Sequence, residues 1–318
     1  MVEPARDRGG WSVKEESILG VSHSKVVTNV PRGACDCHVH VFGNEDTFPM
    51  WQGRSYTPPP APVQSLVAHQ RELRFDRVVV VQPSIYGTDN RCTLDAVAKI
   101  GSSARAIAVV AADTPRHLLQ ELADSGVVGL RLNLAAGAVA DLDKIRRDVD
   151  QAFELAEPLG WHVQIFTELS IVTALERLFR QAPIPVVIDH YGRADATLGT
   201  NQPGFDGLLD LVANGRVYVK LSAPYLISSS AEQENVAPLV TALVRANVDQ
   251  LIWGSNWPHP GAGTGIPNDG LVPFRPIDDG AAVDSFASNV NEPGILKRIL
   301  VDNPARLFGF SETDGLIS

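Results

Sequence analysis

Eight short apolar runs recur along this chain, each separated from the next by a stretch long enough to hold a helix. They lie at 34–42, 77–82, 104–111, 127–134, 162–167, 184–190, 217–222 and 250–254. Arg77-Val78-Val79-Val80-Val81-Gln82 shows their character: an unbroken β-branched run, as expected of a strand covered on both faces. Helices are predicted between them near 63–73, 90–101, 115–125, 142–159, 171–180, 204–213 and 236–246, with a last helical segment near 293–301. Strand–helix alternation predicts a parallel sheet with helices outside it. Eight such units in 318 residues favour one closed (β/α)8 TIM barrel over an open sheet. The barrel is assigned to residues 34–318 and a polar N-terminal arm to 1–33. The loop after the first run carries Phe48, Trp51, Tyr56 and Pro58-Pro59-Pro60-Ala61-Pro62. Its prolines exclude a helix or central strand, and its aromatics suit a lid or pocket wall.

Composition narrows the function. A net charge of −10 with no offsetting basic block argues against nucleic acid as a partner. It leaves room for an anionic small molecule, since a few arginines can dominate a pocket. No run reaches the ~18 apolar residues of a membrane span, and the first 30 residues lack a signal-peptide core. Cys35, Cys37 and Cys92 form no disulfide framework and suit a reducing compartment, so a cytoplasmic location is expected. No glycine-rich nucleotide fingerprint is present. The sequence leaves the oligomeric state open.

The active site of such a barrel lies at the C-terminal ends of its strands. The polar residues there are His38 and His40 from the first run, Gln82 and Ser84 from the second, and Arg131 and Asn133 from the fourth. The fifth adds Phe166 and Thr167, the sixth His190 and Arg193, the seventh Lys220 and Ser222, and the eighth Asn256 and His259. Side chains alternate along a strand, so His38 and His40 point one way and Cys37 the other, into packing. Two imidazoles so placed suit a metal ion or a polarised carbonyl oxygen. Tyr56, Trp51, Tyr86, Tyr225 and Trp257 are candidate pocket walls, whereas His69, His117 and His162 are expected to be surface or structural residues.

Three stretches carry a family resemblance: Asp36-Cys37-His38-Val39-His40, Asp189-His190 with Gly192-Arg193, and Trp253-Gly254-Ser255-Asn256-Trp257-Pro258-His259. Together they resemble the amidohydrolase superfamily, most of all its lactone-hydrolysing amidohydrolase-2 branch. Gln82-Pro83-Ser84-Ile85-Tyr86-Gly87-Thr88-Asp89-Asn90 is similar to the second strand–loop of the dicarboxylate-lactone hydrolases in that branch. The resemblance runs from about Ala34 to Phe308. It implies hydrolysis of a small, anionic lactone in aromatic or sugar-acid catabolism. His38, His40, His190 and residue 256 would be catalytic. Ser84, Tyr86, Arg131, Arg193, Lys220, Ser222, Tyr56 and His259 would bind substrate, and Asp36 would orient the strand-one histidines or cap backbone donors.

The departures are informative. The fifth run ends without a histidine and the fourth without a lysine, so a two-metal centre is not expected. The dicarboxylate-lactone hydrolases work without a metal, and none is expected here. The alternative is one divalent ion, zinc or manganese, on His38, His40 and His190. The arginines of those hydrolases in the stretches matching Ala135–Ala138 and Pro224–Ser228 are absent, which points to a different lactone, a sulfomuconolactone or a sugar-acid lactone. Asn256 stands where the family carries the aspartate that takes a proton from water. An amide keeps the shape of a carboxylate but cannot accept a proton at neutral pH. Because the rest of the motif is retained, Asn256 is read as an inactivating replacement in a hydrolase site. The alternatives are a metal-dependent non-oxidative decarboxylase or lactone isomerase on the same barrel, and a small-molecule binding protein.

Overall fold

A computed structural model describes residues 23–134, 141–228, 234–261, 265–311 and 314. Most of the N-terminal arm (1–22) and the stretch 135–138 therefore lie outside the described residues. The eight strands are β1 Cys35–Val39, β2 Arg77–Val81, β3 Ala104–Ala108, β4 Val127–Asn133, β5 His162–Phe166, β6 Val186–Ile188, β7 Val217–Ser222 and β8 Leu251–Gly254. They pair in sequence order, every pair parallel. Closure comes just past β8: Val39 bridges Trp257, Asn256 N donates to His38 O at 2.8 Å, and His40 N donates to Trp257 O at 2.8 Å. The chain is a single (β/α)8 barrel.

Helices α1 Val63–Leu73, α2 Arg91–Ile100, α3 Arg116–Asp124, α4 Leu142–Ala156, α5 Leu169–Ala174, α6 Glu176–Arg180, α7 Phe205–Ala213 and α8 Ala237–Asn247 fill the crossovers. The helix predicted over 171–180 is two short pieces meeting at Leu175. A ninth helix, α9 Asp279–Val290, was not anticipated. It buries Val283, Phe286 and Val290, and Asp278 caps it by accepting from Ala281 N. It is the helix that follows β8. The 23–28 part of the arm runs along it: Ser24 N donates to Asp278 and Val27 N to Asp284.

Two apolar layers form because each strand is buried on both faces. Val78 and Val80 join the layer between barrel and helices, whereas Val79, Val81, Ile107, Val187, Tyr218 and Ile252 meet inside the barrel. Phe308 and Phe310 belong to that interior cluster.

β1 departs from strict alternation. Its register against β2 slips between Asp36 and Val39, leaving one extra residue on β1. Cys35 and Cys37 pack in the interior cluster and Val39 in the outer layer. Asp36 faces α1, where its carboxylate accepts from Gln70 Nε2. Cys37 packs as expected, but in the interior beneath His38 rather than on the opposite face of the strand. A bulge re-aims the strand at this point, turning His38 into the barrel above Cys37.

Candidate active site

The floor of the site is a buried polar layer directly above the apolar interior. Gln164 (β5), Asp189 (after β6), Lys220 (β7) and His38 (β1) are all completely buried. Lys220 Nζ donates to Gln164 Oε1 at 2.7 Å, and Gln164 Nε2 donates to Asp189 Oδ2 at 2.9 Å. Lys220 Nζ also lies 3.5 Å from Asp189 Oδ1 and 3.3 Å from His38 Nδ1. Burial alone would raise the Asp189 carboxyl, but Lys220, His38 and His190 together hold it well below the ordinary carboxylate value. Burial lowers the Lys220 amine, opposed by Asp189. Lys220 was expected to anchor a substrate anion; its ammonium is instead spent within the floor.

The three histidines differ in what they can donate. Burial and then Lys220 hold His38 neutral. Its Nδ1 lies 3.3 Å from Lys220 Nζ, which only donates, and 3.4 Å from Asp189 Oδ1, which only accepts, so the first contact favours a proton on Nε2 and the second a proton on Nδ1. That Nε2 is buried and has no protein partner. His40 Nδ1 lies 2.8 Å from Val81 O, which only accepts, so its proton sits on Nδ1. Burial, then Arg131, lowers His40 to about 3, and the neutral ring presents a lone pair at Nε2. His40 is thus an acceptor toward the pocket, not the carbonyl donor expected of it. His190 Nδ1 is 2.8 Å from Ser222 Oγ, and burial lowers the ring to about 4 against the pull of Asp189. Ser222 therefore orients His190. The His38 ring centroid is 5.0 Å from that of His40 and 4.7 Å from that of His190.

His38, Asp189 and His190 each bring a ligand atom within 4.8 Å of the others, with donor types that a divalent ion accepts. Lys220 Nζ lies against both His38 Nδ1 and Asp189 Oδ1. A dication there would meet a buried ammonium, so this donor set does not fit a metal ion.

Backbone geometry supports the arrangement. Gly254 ends β8 with no side chain because a Cβ there would lie 2.7 Å from His38 Cβ and 2.8 Å from His38 N. Asp36 Oδ1 accepts from Ser255 N at 3.0 Å and from His38 N at 3.2 Å, pinning β1 to the β8 exit. It caps backbone donors, one of the two roles expected of it; burial raises it to about 6 against those bonds. His190, Tyr191, Arg193, Ala223, Asn256 and His259 all have positive φ, between 48° and 67°. Left-handed non-glycine residues gathered at the exits of β6, β7 and β8 mark where the backbone is held to aim side chains.

Arg131 and Arg193 face one ring. Their guanidinium carbons lie 6.0 and 5.6 Å from the Phe166 centroid, and that ring is 5.6 Å from His190. Arg131 also donates to Gln82 O and stands 3.9 Å from Asp189. Ser84 hydrogen-bonds the Tyr56 phenol, which burial pushes up to about 12 although Arg131 pulls it down. Tyr86 is buried, and its hydroxyl accepts from Gly43 N, a structural role. Trp51 is 56% exposed and Trp257 is buried against His69, so neither walls the pocket. His117 is exposed, and His162 packs over Gly129 at the barrel floor, as structural histidines do.

Asn256 begins a hydrogen-bonded series that runs away from the floor. Its Nδ2 donates to Tyr225 Oη at 2.7 Å; Tyr225 Oη is 3.2 Å from His259 Nδ1; His259 Nε2 is 2.8 Å from Asp279 Oδ2. His259 is thus bonded on both ring nitrogens within the protein. Burial would raise Asp279, but His259, His69 and His23 hold it below the ordinary value. In the sequence Asp189 stands in the Asp189-His190 motif without a role of its own, and Gln164 and Asp279 are not among the expected site residues. Inward alternation with His162 and Phe166 signals Gln164, whereas Asp279 needed the helix that begins with it.

A family model described as amidohydrolase matches residues 35–310. A 4-sulfomuconolactone hydrolase of Hydrogenophaga intermedia is 35% identical over 285 residues, covering 88% of this chain and 90% of its own. A 2-pyrone-4,6-dicarboxylate hydrolase of Comamonas testosteroni is 34% identical over 298 residues, 90% of this chain and 93% of its own. Among solved structures, a probable 2-pyrone-4,6-dicarboxylic acid hydrolase of Acinetobacter baumannii with citric acid bound superposes with a TM-score of 0.73 at 29% identity. It covers 87% of this chain and all of its own. Matched from the first residue of β1 to Phe310, with the strand-one histidines and the strand-eight motif at one barrel mouth, this chain belongs to the amidohydrolase family.

Proposed function

We propose that this chain hydrolyses a small anionic lactone without a metal ion. The observation that carries the reading is His38 Nε2: a buried ring nitrogen with no protein partner, which donates when Nδ1 accepts from Lys220. A preorganised donor in a dry site stabilises the negative oxygen that forms when water attacks an ester carbonyl. His190, beside it, adds a second polar ring. Arg131 and Arg193 around Phe166 supply the positive side that an anionic substituent needs, and Arg131 has the geometry to grip a carboxylate or sulfonate in fork fashion. The relatives are named for a sulfonated muconolactone and a pyrone dicarboxylate, both anionic lactones of this kind.

What the site lacks is a carboxylate base. The Asn256 amide takes no proton, so hydrolysis by the family's route is disabled in this chain. The test is Asn256→Asp assayed on 4-sulfomuconolactone, 2-pyrone-4,6-dicarboxylate and D-galactarolactone. Turnover should rise by on the order of 10² or more on one of them, the scale of a positioned general base. KM should change little, because the two side chains are nearly isosteric. No turnover by either form on any of the three would overturn the reading.

A further inference from the structure

We infer that Tyr225, backed by His259 and Asp279, is the acid–base group of this chain in place of the missing aspartate. The inference rests on the lactonase reading above and names the residues that move the proton.

The direction of every hydrogen in the series is fixed by its neighbours. Asn256 Nδ2 only donates, so Tyr225 Oη accepts there and must direct its own proton elsewhere. The acceptor is His259 Nδ1 at 3.2 Å. His259 Nε2 then carries hydrogen and gives it to Asp279 Oδ2 at 2.8 Å. Asp279 is completely buried, so it can orient the imidazole and balance the imidazolium. A hydroxyl, a histidine and a buried carboxylate hydrogen-bonded in that order make up the arrangement that activates a weak oxygen acid. Tyr225 Oη stands 2.7 Å from Asn256 Nδ2, beside the position of the missing carboxylate.

Burial raises the phenol, with Asn256 pulling against it, so free phenolate is not the resting form. The proton must move in concert. As water oxygen bonds to the lactone carbonyl carbon, a water proton passes to Tyr225 Oη and the phenol proton passes to His259 Nδ1. The carbonyl π pair moves to the oxygen held by His38. The oxyanion pair then re-forms the carbonyl π bond as the ring C–O bond breaks, and the pair of that bond leaves with the ring oxygen. That oxygen takes the proton back from His259 through Tyr225, which restores the enzyme and yields the hydroxy acid. The other charged or titratable groups against this series are Arg275, 5.5 Å from the Tyr225 ring, and His23 and His69, which face Asp279 at 4.0 and 3.6 Å.

The experiment crosses two substitutions. Kinetics of wild type, Tyr225→Phe, Asn256→Asp and the double variant are measured on the three lactones named above, with His259→Gln as a second probe of the series. In the wild-type background, Tyr225→Phe and His259→Gln should each lower kcat by on the order of 10²-fold or more with KM nearly unchanged. In the Asn256→Asp background, where a carboxylate accepts the proton, Tyr225→Phe should cost less than about 5-fold, well below the loss of a general base. Equal losses in both backgrounds would overturn the inference and make Tyr225 a structural support. So would no loss in the wild type. Activity in Asn256→Asp with none in the wild type would overturn it while sparing the lactonase reading; inactivity of both would overturn that reading itself.

Discussion

Replacing Lys220 with methionine tests the charge network under the site. The ammonium lies 3.5 Å from Asp189 Oδ1 with both groups fully buried. Screened by an effective dielectric of about 20, unit charges at that separation attract by about 5 kcal/mol. Methionine fills similar volume, so the main loss is the charge. Asp189 keeps Gln164 Nε2 at 2.9 Å and Arg131 Nε at 3.9 Å. Removing one member of a buried pair costs about 3–5 kcal/mol, and the remaining Arg131 places this variant near the lower end. At about 2.1 cal/mol/K per residue, 3 kcal/mol in a chain of this length lowers Tm by roughly 4–5 °C. The double variant Lys220→Met/Asp189→Asn leaves no unpaired charge and should recover at least half the loss. The pH dependence has a definite sign. In the wild type the folded Asp189 value is depressed, so its stabilisation is present above the unfolded carboxylate pKa and is lost as pH falls through the folded value. In Lys220→Met burial loses its largest opposing charge and the folded value rises. Its penalty is then present at high pH and relieved on acidification. Calorimetry at pH 8 and pH 5 should show the gap from wild type narrowing at the lower pH. A Tm shift below about 1 °C, well short of that estimate, would refute the reasoning, as would a gap that widens on acidification or a double variant no better than the single.

Arg131→Met should raise KM for an anionic lactone by on the order of 10-fold or more, the worth of a charged hydrogen bond, and leave an uncharged lactone unaffected. Substrate-concentration series on a charged and an uncharged lactone check this. Protein equilibrated with zinc and then desalted should hold less than one equivalent by elemental analysis, because Lys220 stands against His38 and Asp189. Two equivalents per chain would contradict the placement of the ammonium.

The barrel was legible because its strands are buried on both faces and read as continuous apolar runs. The helix after β8 was missed although Val283, Phe286 and Val290 carry a helical spacing behind the Asp278 cap. The proline-rich stretch before it, with Pro267, Pro273 and Pro276, gave no strand or helix signal to anchor the register. The rim residues were legible by position but not by direction. Lys220 falls at the strand end as expected, yet its neighbours Gln164 and Asp189 turn it into the floor. Nothing local to β7 could say so, since those partners come from β5 and β6.

β1 shows the same limit in a sharper form. His38 and His40 share the barrel interior by alternation across Val39, but the alternation fails one step earlier, where Cys37 and His38 both face inward. Alternation carried back from His38 would place Asp36 inside with it, and Asp36 instead bonds Gln70 of α1. The bulge that separates them follows from closure. His38 O must accept from Asn256 N and His40 N must donate to Trp257 O, and Gly254 must leave room for His38. Those partners lie more than 200 residues downstream. The motif at strand one and the motif at strand eight are therefore two halves of one joint. The Asp36 carboxylate accepts from Ser255 N and His38 N across that joint, so it fixes the histidine pair through the backbone rather than by touching either ring.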